Sequence, residues 1–273
     1  MEQSNCLNCG EAIDPQQKFC RNCGQKTDIS RITFRSLFRD FLLVFAHTDK
    51  GIFNMAKGLT INPGKTVVEY AAGKRKKYLN PFAFLGLCIG LMLFLNNWLK
   101  PYNDLPLADP EVLARIADEK MRQLYLLTIE RNVRVQKFVN SNLSLASVIV
   151  APYFAFMLWL FFKRSNRNVA EITVTYVLLT GFANVLSTII VGPFMSYYRN
   201  QHPHDFILYG SILLQTLYFS WALNVFFGYK SIAGYFKVFG ALFLIGLIGF
   251  VLLLIGFFFY IYRGESFHVL KYL

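Results

Sequence analysis

The sequence predicts an all-α polytopic membrane protein of five transmembrane helices, N-terminus in and C-terminus out, with a small cysteine-bearing ribbon at its N-terminus. Three observations predict it. Of 273 residues, only 16% are charged and 55% are hydrophobic, where an average soluble domain carries about 25% charged residues. Five long segments contain no Asp, Glu, Lys, Arg or His, and four of the five cysteines stand as two Cys-x₂-Cys pairs ahead of the first such segment. With a mean hydropathy of +0.38, these features exclude a disordered chain, a secreted disulfide scaffold and an ordinary soluble enzyme. The net charge of +12 is large for so few charges, so the placement of the cations carries information.

The first unit is residues 1–28. Cys6-Leu-Asn-Cys9-Gly10 is followed by Cys20-Arg-Asn-Cys23-Gly24. Two thiolates three residues apart can converge on one ion, and two such pairs complete a tetrahedral sulfur shell. A glycine after each second cysteine suits a turn of positive φ that points backbone N–H groups at the sulfurs. So short a segment holds no core of its own, and structural zinc contributes roughly 10–16 kcal/mol of folding free energy. The expectation is a zinc ribbon holding one structural Zn²⁺ on Cys6, Cys9, Cys20 and Cys23. Iron in a rubredoxin-like site uses the same ligands. Disulfides need an oxidising compartment, and residues 1–79 carry no apolar secretory segment. Four thiolates leave no open position for catalysis. Cys88, inside the first span, reads as a packing residue.

Residues 29–79 form an amphipathic, basic juxtamembrane segment. Phe34, Leu37, Phe38, Phe41, Leu42 and Phe45 recur at helical spacing. Ile52–Leu59 stops at Asn62-Pro63-Gly64, and Lys65–Ala72 reads as a helix closed by Gly73. Lys74, Arg75, Lys76 and Lys77 follow immediately before Tyr78. This cluster serves as an orientation signal and as a candidate contact for anionic membrane lipids, at about 1 kcal/mol per cation. No groove-reading helix or aromatic RNA platform accompanies it, so no nucleic-acid partner is expected.

The membrane domain, residues 80–273, contains the spans 81–99, 143–162, 172–194, 206–227 and 238–261, each of 19 to 24 residues, where about 20 are needed to cross. Tyrosines cluster near their ends, as amphipathic rings do at the headgroup level. The polar loop 100–142 predicts a helix over 111–138. Cytosolic flanks would hold nine cations (74–77, 163, 164, 167, 230, 237) against three in the short outer segments (199, 263, 271), and reduced thiols place residues 1–79 on the same side. The objection is the 100–142 loop, with seven basic and six acidic residues, which this arrangement puts outside. A re-entrant first span would bring it in, at the expense of moving Lys163–Arg167 out.

Within the spans, Asn184, Gln215 and Asn224 are expected as interhelical hydrogen-bond partners, and Gly86-x₃-Gly90, Gly246, Gly249 and Gly256 as sites of close helix approach. His202 and His204 read as solvated residues of the loop between the third and fourth spans, and Glu171 sits at the mouth of the third. No nucleophile–base pair, phosphate loop or intramembrane metalloprotease motif is present, so no enzyme is expected.

The order Cys-x₂-Cys-Gly, Phe19-Cys20-x₂-Cys23-Gly24-Gln25, Arg31-Ile32-Thr33, Pro63-Gly64 and Tyr70-x₂-Gly73-Lys74-Arg75-x₂-Tyr78-x₂-Pro81 resembles the domain-of-unknown-function family numbered 3667. The resemblance covers roughly residues 5–85. It implies a bacterial inner-membrane protein in which a ribbon precedes a membrane region, and it implies no activity. Two functional expectations follow. One is a docking module, built from ribbon and basic segment, for a cytosolic or membrane protein partner and for membrane lipids. The other is a small-solute or lipid transporter with a regulatory ribbon. Self-association of the bundle is compatible with either.

Overall fold

The computed structural model describes residues 4–14, 17–28, 31–34, 51–101, 109–229 and 231–262, with the side chains of 4, 139–148 and 261–262 excepted. The amphipathic stripe expected from Phe34 to Phe45 lies, beyond Phe34, outside the described residues, as does Lys230. The ribbon contributes β1 (Ser4–Asn5) and β2 (Ala12–Ile13), paired antiparallel with Ser4 opposite Ile13. All the other regular elements among the described residues are helical.

A helical hairpin precedes the bundle: α1 (Gly51–Ile61) and α2 (Pro63–Ala71). Asn62 divides them by accepting a 3.2 Å hydrogen bond from Lys65 N–H, with Pro63 at the first helical position. Pro there gives up a donor that no helix would use. Gly73, at φ +107°, ends the segment. Then follow α3 (Pro81–Leu99), α4 (Pro110–Arg115), α5 (Glu119–Ile149), α6 (Ala151–Phe161), α7 (Val169–Ile190), α8 (Gly192–Tyr197), α9 (His202–Phe226) and α10 (Ile232–Tyr262). Four of these, α3, α7, α9 and α10, are long and apolar enough to cross a membrane.

The segment expected as the second span is divided. Its first residues end α5, Val150 interrupts, and α6 completes it. Pro152 has no N–H to give to the preceding turn, and Val150 keeps a near-helical backbone at φ −82°, ψ −9°, so the interruption is a single residue. The helix expected over 111–138 also differs. Buried Ile116 leaves α4 in an extended conformation, and Asp118 starts α5 by accepting from Lys120 N–H at 3.0 Å.

α3 and α7 run parallel, since Gly181 lies by Leu85 and Cys88 and Gly192 by Leu99, and α6 and α9 run the other way. The close approach of α3 to α7 comes at Gly181, where an added Cβ would lie 3.4–3.5 Å from Leu85 and Cys88. Phe154 stacks on Tyr176 at 5.0 Å between ring centroids, running α6 against α7, and Phe162 stacks on Phe227 at 4.3 Å where α6 and α9 both end. Tyr153 donates to the Ile245 carbonyl at 2.8 Å, joining α6 to α10. Gly86, Gly90, Gly246 and Gly256 face open space, contrary to expectation, and only Gly249 meets a neighbour, the Tyr153 ring. Between lipid and helix there is no hydrophobic force to exploit, so contact surfaces are chosen by fit, and Gly181 has the fit that Gly86-x₃-Gly90 lacks. Cys88 is buried in that contact, as expected of a packing residue.

The fully buried side chains concentrate toward the hairpin's end of the bundle: Met55, Leu59 and Val67 from the hairpin, with Leu158, Ile172, Leu178, Leu223 and Phe226. Gly64 lets α2 lie on α9, since a Cβ there would meet Val225 at 2.5 Å and the Ala222 carbonyl at 2.9 Å. The bundle thus offers a firm, polar-rimmed end on which the ribbon can rest.

Candidate metal centre

The two cysteine pairs fold as copies of one unit. Cys6 N–H donates to Glu11 and Gly10 N–H to Cys6, at 2.7 and 2.8 Å; fourteen residues on, Cys20 N–H donates to Gln25 and Gly24 N–H to Cys20, at 2.8 and 2.9 Å. Gly10 and Gly24 stand at φ +81° and +69°, the left-handed turn that a side chain would disfavour. The sulfurs of Cys6, Cys9, Cys20 and Cys23 all lie within 4.8 Å of one another, with Cys6–Cys23 and Cys9–Cys20 at 3.6 Å. A tetrahedral shell with metal–sulfur bonds of about 2.3 Å has edges of about 3.8 Å. The donor set therefore fits a four-coordinate metal ion.

The electrostatics point the same way. Burial pushes the Cys6 thiol up, but N–H groups of Cys9 and Asn8 and the Cys23 and Cys9 thiols outweigh it and bring it down to about 7. The Glu11 N–H favours the Cys9 thiolate, yet burial and the three neighbouring thiols push Cys9 up to about 12. Four thiolates so close repel one another, and a bound cation removes the obstacle.

The ribbon is fastened to the bundle on two sides. Gln25, buried, accepts from Lys76 N–H at 2.9 Å. On the other side the strap that follows the ribbon enters the bundle. Arg31 forks onto Glu171, Nε to Oε1 at 3.0 Å and Nη2 to Oε2 at 3.2 Å, and donates to the Asn166 carbonyl at 2.7 Å. Asn168 donates to the Ile32 carbonyl at 3.1 Å, and Ile32 is fully buried. Glu171, 3% exposed, also completes a capping box with Asn168 at the start of α7. Sequence reasoning noted Glu171 and Arg31 separately and did not join residues 140 apart. The Asn-x-x-Glu pattern of a capping box was the available signal that Glu171 is structural.

The candidate lipid-contact residues lie in the turn between α2 and α3. Glu69 gathers three of its neighbours: Lys77 Nζ at 2.9 Å, Lys74 Nζ at 3.1 Å and the Tyr78 hydroxyl at 2.7 Å. Burial alone would raise this carboxyl, but those hydrogen bonds hold it down at about 2. The same carboxylate raises Lys77. Lys76 is spoken for at its backbone by Gln25, and Arg75 shares the turn with a partly buried side chain.

At the opposite end of the bundle, His202 begins α9 and does not lie in a loop, and His204 is 4% exposed, not solvated, with Nε2 2.9 Å from the Pro101 carbonyl. Ser196 also donates to the Leu99 carbonyl. Ser196 thus serves a last carbonyl of α3, which needs a donor, and His204 holds the chain just beyond the helix. Asn224 Oδ1 is buried with no partner among the described residues, beside Gly234, so it is not the interhelical link expected.

Residues 49–93 match a family model described as Protein of unknown function (DUF3667). The matched stretch comprises α1, α2, the basic turn and much of α3, and the four ribbon cysteines lie outside it. No curated protein and no solved structure matches the chain.

Proposed function

We propose that this chain is a five-span membrane protein whose ribbon carries one structural zinc and serves as a cytosolic docking module, resting on a basic turn that touches anionic lipid. The observation that carries the reading is the double fastening of the ribbon, through Gln25 to Lys76 and through Arg31 to Glu171. A module held on two sides presents a fixed surface, which raises its effective concentration for a partner at that membrane. That surface bears two exposed apolar side chains, Leu7 and Phe19, 52% and 59% accessible, on a unit too small to waste them. Zinc suits four thiolates and, with its shell full, would cross-link the two knuckles. The reading is non-enzymatic.

Five crossings follow if the α5–α6 segment spans as the fifth. The ribbon's end of the bundle gathers Lys74–Lys77, Lys163, Arg164, Arg167 and Lys237, which favours the cytosolic side of a bacterial inner membrane. Against the transporter reading, ionisable residues of α3, α7, α9 and α10 stand only near helix starts (Glu171, His202, His204, Asp205 and Lys237), whereas coupled carriers place such groups at mid-membrane.

Elemental analysis of protein purified without added metal should give one zinc per chain, and iron at full occupancy would overturn that part. A photo-crosslinking residue in place of Leu7 or Phe19, in living cells, should capture a discrete protein, lost in a Cys20→Ser background. Capture of lipid alone, or of nothing, would refute the docking role.

A further inference from the structure

Where the ribbon's strap meets the bundle there is a cavity of about 420 Å³, lined by Arg31, the end of α2 (Ala71, Ala72), the turn Ser165–Arg167, Glu171 and the end of α9 (Phe226–Gly228). We propose that it is a binding site for a phosphate group, with Arg167 as the principal ligand and Ser165 and Arg31 beside it. This goes beyond the docking role and does not depend on it.

The charges in the cavity do not cancel. Arg31 and Glu171 satisfy one another as a fork. That leaves Arg167, which has no carboxylate within ion-pair distance among the described residues, and the turn that bears it, Lys163-Arg-Ser-Asn-Arg167, contains three cations and no acid. Nor is Arg167 a loose surface cation. Its Nε donates to the Phe226 carbonyl at 3.3 Å and its guanidinium lies 4.6 Å from the centre of the fully buried Phe226 ring. These contacts fix the plane of the guanidinium and leave its two terminal nitrogens without a protein partner among the described residues. A guanidinium so held is preorganised for two parallel hydrogen bonds to an oxyanion.

Ser165 supplies an independent sign. Its Oγ is buried and has no hydrogen-bond partner among the described residues, and Ser165 is one of the residues that line the same cavity. Buried hydroxyls rarely stay unpaired, because the lost hydration goes unreplaced. Turned about its χ1 toward the cavity, the hydroxyl would donate to a phosphate oxygen held by Arg167. Phosphate, with three or four oxygens, can engage the Arg167 fork, the Ser165 hydroxyl and the Arg31 nitrogen not used by Glu171. Such a group belongs either to a soluble phosphate compound or to the headgroup of a membrane lipid.

The test uses the full, metal-loaded chain in nanodiscs of phosphatidylcholine. Binding of radiolabelled inorganic phosphate is followed at constant ionic strength, and retention of phosphatidic acid, doped into the discs, is followed by native mass spectrometry. Saturable uptake of inorganic phosphate, weakened about ten- to a hundredfold by Arg167→Gln, supports the site and assigns it to a soluble ligand. Retention of phosphatidic acid that Arg167→Gln removes, with no uptake of inorganic phosphate, supports it and assigns it to a lipid. If Arg167→Gln does not fold, Arg167→Lys keeps the charge and loses the fork, and Ser165→Ala removes the hydroxyl alone; both should weaken binding. The neutralising pair Lys163→Gln and Arg164→Gln should leave it within about twofold, because those side chains do not line the cavity. Loss as large from that pair, or no difference between wild type and the Arg167 variants for either ligand, overturns the proposal.

Discussion

At Glu69, three hydrogen bonds hold ionised a carboxyl that burial alone would push toward neutrality. Its acidity in the folded chain, about 2 against an ordinary 4.5, is a statement about stability. A depressed carboxyl stabilises above its unfolded value, and the contribution fades as pH falls toward the folded one. The melting temperature should therefore hold from pH 7 to about 4.5 and then fall, with on the order of 3 kcal/mol at stake as an upper bound. The elevation of Lys77 describes the same contact from its other side and adds nothing to it. Glu69→Gln should lower the melting temperature at pH 7 and flatten the acid limb of the profile; an unchanged limb would assign it to other groups. The Arg31–Glu171 pair calls for the opposite comparison. Arg31→Ala leaves a carboxylate that is 3% exposed without its counter-ion, so it should lower the melting temperature more than neutralising the carboxylate does. Glu171→Gln keeps an acceptor for the α7 cap and should cost about 1 kcal/mol. The double variant should be less damaged than the sum of the two, and strict additivity would mean that the pair does not couple strap to bundle.

Among the elements, the glycines separate two kinds of packing that composition cannot. Gly64 touches the backbone of α9, and an added methyl would meet the Ala222 carbonyl at 2.9 Å, so Gly64→Ala should cost about 1–3 kcal/mol by forcing α2 off α9. Gly86→Ala adds a methyl in open space and should be neutral or slightly stabilising by helix propensity; thermal unfolding in detergent distinguishes them. The contrast also shows which features could be read in advance. The four long apolar helices, the boundary at Asn62-Pro63 and the four clustered cysteines of the candidate metal centre rest on local chemistry, which a sequence displays. Which face of α3 turns inward is a tertiary choice, and Gly86-x₃-Gly90 was misleading because spacing alone does not say what opposes it. Pro152 was visible, yet a proline in an apolar segment is compatible with a continuous span, so the break at Val150 was not legible. His204 looked like a loop residue because its partner, the Pro101 carbonyl, lies 103 residues away. For the same reason the strap was missed, since neither Arg31 nor Glu171 announces the other.

For the molecule as a whole, direction matters more than any single contact. α3 and α7 run parallel, as Leu85 and Cys88 meet Gly181 while Leu99 meets Gly192, and α6 and α9 return between them and α10. One end of the bundle therefore holds the ribbon, the basic turn and Lys163–Arg167. The other holds Pro101, Ser196, Tyr197 and His204. With cations gathered at the ribbon's end, that end should face the cytosol, where thiols stay reduced for metal. In a Cys88→Ala background, a cysteine at Tyr197, 75% exposed, should react with an impermeant maleimide in intact cells. One at Arg164, exposed on the turn beside the strap, should react only after the membrane is opened. The native ribbon cysteines serve as an internal control, since they share a side with Arg164 through the Arg31 strap and should stay unlabelled in intact cells. Labelling of the Arg164 cysteine before lysis, with protection of the Tyr197 cysteine, would invert the chain in the membrane. It would place a four-thiolate site in an oxidising compartment, where disulfides would compete for the same sulfurs, and the zinc reading would have to be abandoned with the orientation.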